Sequence, residues 1–84
     1  MENPFKFGTI DISDTQIILA FIATCIETTA RQLKTSYQDV YQRMMRVKML
    51  ENYIVPNYET LHTESRENLA LGLVECLQQW EQRL

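Results

Sequence analysis

Glycine and proline are scarce in this 84-residue chain, which contains only two of each. Both residue types mark turns and interrupt helices, so their scarcity favours long helices over a fold of strands and turns. The longest apolar run, residues 17–26, is about half the roughly 20 residues that a membrane-spanning helix requires. The first residues also lack the basic flank and apolar core of a secretory signal. These absences predict a helical cytoplasmic protein with no membrane partner.

Potential metal ligands and nucleophiles are equally rare. The chain has one histidine, His62, and two cysteines, Cys25 and Cys76, which lie far apart in the sequence. A tetrahedral zinc site needs four ligands at close spacings, so we expect no metal. Both cysteines have apolar neighbours, which predicts buried free thiols rather than a cysteine–histidine catalytic pair. Because a glycine-rich phosphate loop is also missing, we expect no cofactor and no enzymatic activity.

The composition that remains is that of one globular domain. Apolar residues make up 45% of the chain and charged residues 23%, which is ordinary globular usage. A chain of this length has no room for a second domain. We predict an N-terminal arm over residues 1–12, with an extended piece at residues 5–10 whose phenylalanines dock on the body. A single helical domain should follow over residues 13–84.

Two helices are predicted in the first half of the domain. Ser13 followed by Gln16 fits a capping box, and the helix after it should cover residues 14–33. Its apolar positions extend beyond one stripe, so we expect a central helix contacted on most sides. Ser36 is the predicted N-cap of the second helix. This helix is amphipathic, with one apolar face formed by Tyr37, Val40, Tyr41, Met44 and Val47.

The second half should contain one short and one long helix. Pro56 disfavours a continuous helix, so a short helix should end near Ile54 or Val55. The last helix is predicted from an apolar stripe of Leu69, Leu73, Leu77, Trp80 and Leu84. Gly72 within it is expected to permit close packing against another helix. The sequence therefore predicts an all-α fold, a compact bundle of three main helices plus one short helix.

A basic segment interrupts an otherwise acidic chain. Residues 31–48 carry a net charge of +4, whereas the residues before them carry −3 and those after them −4. Arg43 and Arg46 occupy the polar face of the second helix, with Gln42 and Lys48 nearby. These four residues are the predicted partner-binding surface. They suit phosphates and base edges, as in helix-turn-helix proteins, and they suit an acidic protein partner equally well.

The stretch YETLHTESRE, residues 58–67, gathers several polar residues at the predicted start of the last helix. Thr63 is the expected N-cap, with Ser65, two residues later, as the alternative. His62 should pack its ring on the preceding turn and use one ring nitrogen for a local backbone hydrogen bond. We expect Arg66 to contact a nearby glutamate. A structural role therefore explains this stretch without a substrate.

The segments CIETTARQLKTSYQDVYQRM and NYIVPNYETLHTESRENL resemble a family of small bacterial proteins catalogued as domain of unknown function 3791. The resemblance covers most of residues 17–77 and includes the pair Val40 and Tyr41. It also includes a Y-x-x-L-H-T motif, here Tyr58, Leu61, His62 and Thr63, followed by Ser65 and Arg66, and the ordered set of motifs matters more than any single one. The chain departs from the family at Pro56 and at RVKMLE, residues 46–51, where a glycine-containing turn is usual.

The resemblance implies an accessory or antitoxin-type protein whose partner is encoded by an adjacent gene. We therefore expect a non-enzymatic helical protein-interaction module, an antitoxin-like or regulatory member of a small bacterial operon. A homodimer is a second way of covering apolar surface. The alternative function is nucleic-acid binding through the basic second helix.

Overall fold

The computed structural model describes the backbone of residues 11–84 and the side chains from residue 14 onward. This part of the chain folds into four α-helices and one π-helical turn, and contains no strand. The elements are α1 (Asp11–Leu33), α2 (Tyr37–Arg46), the π-helical turn (Leu50–Ile54), α3 (Tyr58–Leu61) and α4 (Arg66–Glu81). The predicted all-α bundle of three main helices is confirmed, with two short elements where one was expected. The extended piece predicted at residues 5–10 lies outside the described residues.

Helix α1 lies against both α4 and α2. It begins at Asp11, so Ser13 lies inside the helix and the prediction that Ser13 is its N-cap is wrong. In its second half Cys25 and Ile26 are buried. In its first half Leu19 remains 60% exposed, so the expectation of contacts on most sides holds only toward the C-terminal end.

A buried threonine in α1 is satisfied within the helix itself. Thr29 is completely buried, and its hydroxyl donates a hydrogen bond of 2.7 Å to the carbonyl oxygen of Cys25 one turn earlier. A buried hydroxyl without such a partner would destabilise the fold by about 1 to 3 kcal/mol. Threonine is therefore tolerated in this otherwise apolar contact.

A lysine terminates α1 in the conformation that usually favours glycine. Lys34 has a φ of 58°, in the left-handed region. The Lys34 N–H donates to the carbonyl of Arg31 at 3.2 Å, and the Thr35 N–H donates to that of Ala30 at 3.0 Å. This pair of bonds is the Schellman arrangement, which satisfies carbonyls at the helix end.

Helix α2 is capped as predicted, and the side chain of Ser36 accepts a hydrogen bond of 3.0 Å from the Asp39 N–H. Val40 and Met44 are completely buried in contact with the rest of the core. The expected apolar face is thus confirmed at its centre. The core also includes Cys25, Ile26, Ala30, Met49, Ile54, Leu69, Leu73 and Leu77.

The chain turns sharply after α2 without a glycine. Lys48 adopts a φ of 58°, so a lysine takes the left-handed position in the segment where the family pattern suggested a glycine. The π-helical turn then ends at Ile54, as predicted, and its widened hydrogen bond runs from the Val55 N–H to the carbonyl of Leu50 at 3.0 Å. Pro56 follows after Val55, and the chain resumes a helical turn at Tyr58.

Helix α4 buries the predicted stripe at Leu69, Leu73 and Leu77, and Trp80 is half-buried. The prediction is wrong for Leu84, which lies beyond the end of α4 and is 70% exposed. The expectation for Gly72 is wrong, because Gly72 is exposed and an added Cβ would meet nothing within 4 Å. Gly72 lies on the outer side of α4, where close packing against another helix does not occur.

Candidate interaction surface

The two arginines predicted to bind a partner have different environments. Arg43 donates two hydrogen bonds of 2.8 Å to the carboxylate of Glu81, which joins α2 to the end of α4. Its guanidinium also lies 3.6 Å from the Asp39 carboxylate. The side chains of Arg43 and Glu81 are only 26% and 21% exposed, so this pair is a structural link between the helices.

The protonation behaviour of the pair is consistent with that link. The hydrogen bond from Arg43 lowers the pKa of Glu81, and the same bond to Glu81 raises the pKa of Arg43. Both shifts favour the charged forms. No sequence pattern indicated this contact, because the two residues are 38 positions apart.

The other three predicted partner-binding residues are directed to solvent. Gln42, Arg46 and Lys48 are all exposed. The structure therefore does not present the predicted quartet as one surface, since Arg43 is occupied by Glu81. The exposed positive charge of α2 is accordingly smaller than the sequence suggested.

Three large side chains on α2, which we call the tyrosine stripe, are exposed on successive turns. Tyr37 and Tyr41 are each 42% exposed, and Met45 is 47% exposed. Their spacing of four residues places them along one side of the helix. The helical spacing placed both tyrosines on the apolar face of α2, and their exposure corrects the expectation that this whole face packs inward.

A shallow cavity lies where the ends of α2 and α4 meet. Its volume is about 320 Å³, and we call it the basic cup. The residues that line it are Arg46, Val47, Lys48, Trp80, Arg83 and Leu84. Val47 and Trp80 are half-buried, and Trp80 also makes an edge contact with Tyr53, with ring centroids 5.9 Å apart.

The motif turn, residues 58–65, contacts the rest of the fold through Tyr58 and Leu61, and its other residues are exposed. The ring of Tyr58 meets the ring of Phe21 edge-on, with centroids 5.1 Å apart. His62 stacks on Tyr58 with centroids 4.6 Å apart and the planes nearly parallel, so the predicted packing of His62 on the preceding turn is confirmed. His62 is nevertheless exposed, and within residues 14–84 its ring forms no hydrogen bond to the backbone, so that part of the prediction is wrong. Leu61 packs against the core. Aromatic contacts of this kind stabilise a fold by about 0.5 to 1.5 kcal/mol beyond area burial.

Two hydroxyl side chains of the motif turn form hydrogen bonds with nearby backbone groups. Ser65 is the N-cap of α4 and accepts a hydrogen bond of 3.1 Å from the Asn68 N–H, so the alternative to Thr63 is the correct one. Thr63 instead donates to the carbonyl of Thr60 at 2.8 Å. Arg66 is exposed, and within residues 14–84 it forms no ion pair with a glutamate.

The surroundings of both cysteines disfavour the thiolate form, which is the nucleophilic form of the side chain. Burial raises the pKa of Cys25 to about 12, and burial is also the main cause of the raised pKa of Cys76. Both thiols are free, but only Cys25 is buried as predicted, and Cys76 is half-buried. In residues 14–84, no three histidine, cysteine or acidic side chains gather as potential metal ligands. None of the described helices has the length and apolar character needed to cross a membrane.

A family model described as a protein of unknown function, DUF3791, matches residues 20–80. The chain belongs to the DUF3791 family. The resemblance carried by the motif turn is thereby confirmed, and the matched region of this DUF3791 protein also includes α2 with the tyrosine stripe. Neither the curated proteins nor the solved structures include a match.

Proposed function

We propose that this DUF3791 protein is a non-enzymatic helical module that binds a protein partner through the outer side of α2. The observation that carries this proposal is the tyrosine stripe, with its three side chains 42%, 42% and 47% exposed. Isolated exposed apolar residues are ordinary, but here three of them occupy successive turns of one helix.

The composition of this side of α2 supports a protein partner. Tyrosine, methionine and arginine are all enriched in protein interfaces, and lysine and glutamate are depleted there. Gln42 and Arg46 are exposed on the same helix as the tyrosine stripe and supply polar contacts around it. A partner helix or strand laid along α2 would bury the stripe and leave these polar groups at the rim.

The paired state of Arg43 favours a protein over a nucleic acid. A helix that binds DNA relies on arginines available to phosphates and base edges. Because Arg43 already makes two hydrogen bonds to Glu81, α2 offers a weaker cationic surface than its sequence indicates. We further propose an antitoxin-like or regulatory role, in which the partner is the product of an adjacent gene.

Co-purification with the product of each adjacent gene tests this function. The full chain would be co-expressed with each product as wild type, as Tyr41→Ser with Met45→Ser, and as Leu71→Ser. Leu71 is 56% exposed on α4, so its substitution controls for loss of exposed apolar surface away from the stripe.

The double variant should reduce the recovered partner at least about tenfold, whereas Leu71→Ser should retain it, because hot-spot side chains carry most of the binding free energy. Recovery that is equal for all three proteins would refute the role of the tyrosine stripe. Binding of the folded protein to duplex DNA at physiological salt, without any protein partner, would establish the nucleic-acid alternative instead.

Sedimentation of the purified chain distinguishes a second copy from a different partner. A concentration-dependent dimer that the double variant abolishes would identify another copy of this chain as the occupant of the stripe. A monomer at all concentrations would leave a different protein as the partner.

A further inference from the structure

The basic cup combines positive charge with an apolar floor. Arg46, Lys48 and Arg83 line it and are exposed, and no acidic side chain lines it. Val47 and Trp80 lie between them as half-buried apolar surface. A site of this composition suits a ligand that carries negative charges beside a bulky apolar group.

One acid close to the cup, Glu81, is already paired with an arginine outside it. Glu81 lies close enough to Arg46 for the two charges to interact, but its carboxylate oxygens accept both hydrogen bonds from Arg43. Within residues 14–84, none of the three cup cations forms an ion pair. Their charges are therefore available to an incoming anion.

The rest of the molecule restricts the size of that anion. The chain has a net charge of −3, so with three cations in the basic cup the remaining residues carry −6. Duplex DNA has about one negative charge per 1.7 Å of helix axis, so a long duplex would extend beyond the cup, whereas the remainder of the chain has a net negative charge. A short acidic segment of a protein places its charges in the cup alone.

We infer that the basic cup binds an acidic peptide segment of a partner protein, in which one bulky apolar side chain is flanked by aspartate or glutamate residues. This inference rests on the proposed function, because it names the part of the partner that contacts the end of α2. The apolar side chain packs on Trp80 and Val47, and the flanking carboxylates pair with Arg46, Lys48 and Arg83. Complementary charge would speed association and select against basic partners.

The cup contains its own reporter, because Trp80 is the only tryptophan in the chain. The full chain would be titrated with a short tryptophan-free peptide containing one leucine between aspartates and glutamates, while Trp80 fluorescence is followed. Two control peptides separate the contribution of the apolar side chain to binding from that of the acidic side chains. One replaces the leucine with serine, and the other replaces the acids with asparagine and glutamine.

Substitutions that remove positive charge inside and outside the cup test whether the charge of the cup contributes to binding. Lys48 and Lys34 share the same φ of 58° and both are exposed, but only Lys48 lines the cup. Arg46→Gln with Lys48→Gln should weaken peptide binding at least about tenfold, and Lys34→Gln should change it less than about twofold. Both control peptides should bind more weakly than the acidic leucine peptide.

Three results would overturn the inference. They are an unchanged Trp80 signal throughout the titration, equal affinity for the acidic and the neutralised peptide, or tighter binding of a DNA duplex than of the peptide. If peptide binding fails while Tyr41→Ser with Met45→Ser still abolishes partner recovery, the cup inference is wrong and the proposed function stands. If the peptide binds the cup but partner recovery is insensitive to the stripe, the proposed role of the stripe is wrong.

Discussion

The motif turn and the basic cup both contain aromatic and polar residues, but they use them differently. In the motif turn, Tyr58 contacts Phe21 on one side and His62 on the other, so its ring holds α3 against α1. In the basic cup, Trp80 contacts Tyr53 yet still lines a cavity with Arg46 and Lys48. Tyr58 therefore joins two helices, whereas the basic cup presents exposed cations beside its aromatic ring, and the cup is the region that we propose binds a partner.

The largest expected effect comes from removing the central ring of the motif turn. Tyr58→Ala should lower the free energy of unfolding by about 2 kcal/mol, since a half-buried aromatic side chain and two ring contacts are lost. Tyr37→Ala is the control, because Tyr37 is 42% exposed at the start of α2. It should change stability by less than about 0.5 kcal/mol. Urea denaturation measures both, and equal losses would contradict a structural role specific to Tyr58.

Substitution of the two arginines of α2 should also have unequal effects on the free energy of unfolding. Arg43→Ala should lower the free energy of unfolding by about 1 kcal/mol, because it leaves the half-buried carboxylate of Glu81 without its two hydrogen bonds. Arg46→Ala removes an exposed side chain and should change stability by less than about 0.5 kcal/mol. Denaturation midpoints that fall equally in the two variants would show that the Arg43–Glu81 pair does not support the fold.

The same pair predicts a pH dependence. The pKa of Glu81 is lowered in the folded chain, chiefly by its hydrogen bond from Arg43, whereas an unfolded glutamate has a pKa of about 4.3. The stability due to this shift is fully present above the unfolded pKa and is lost as the pH falls through the lower folded pKa. Glu81→Gln should therefore be less stable than wild type at neutral pH, and the difference should shrink in acid. A difference that is independent of pH would contradict this assignment.

A substitution at Gly72 on α4 should instead increase stability, and by a smaller amount. Gly72→Ala should raise the free energy of unfolding by between about 0.5 and 1 kcal/mol, because alanine restricts the unfolded chain and favours the helix. The added Cβ enters open space. Thermal or urea denaturation measures the gain, and a loss of stability would show that Gly72 packs against another surface after all.

The smallest effect on stability is expected at the two left-handed lysines. Lys34→Gly and Lys48→Gly should each raise the free energy of unfolding by no more than about 0.5 kcal/mol, since relief of the positive φ is partly offset by the greater freedom of glycine when unfolded. Only Lys48→Gly should also weaken binding of the acidic leucine peptide, because only Lys48 lines the cup. Peptide titration of the two variants checks this, and equal affinities would remove Lys48 from the site.

Local sequence signals predicted part of the local structure, although the N-cap expected at Ser13 is wrong. The leucine stripe of α4 and the N-cap at Ser36 follow from helical spacing and hydrogen bonding within one turn, and both are present. The N-cap of α4 could not be decided between Thr63 and Ser65 from the sequence, because both side chains offer the same hydroxyl chemistry. What the sequence did not indicate are contacts between distant segments.

The candidate surface depends on those distant contacts. Whether Arg43 faces solvent was decided by Glu81, and the basic cup combines the end of α2 with residues of α4. The exposure of Tyr37 and Tyr41 likewise reflects how α2 is rotated against α1 and α4, which the amphipathic pattern fixes only approximately. Periodicity identifies the side of a helix that packs, but the edges of that side depend on the neighbouring helices.

The most direct test of the central claim, that the motif turn is structural and the basic cup binds the partner, is the affinity for the acidic leucine peptide of two variants, one altered in each region. We predict that Arg46→Gln with Lys48→Gln loses affinity while its free energy of unfolding stays within about 0.5 kcal/mol of wild type. His62→Ala, which removes a ring stacked on Tyr58, should retain wild-type affinity under conditions where the chain is folded. Loss of peptide affinity in His62→Ala, with affinity preserved in the double variant, would contradict the account.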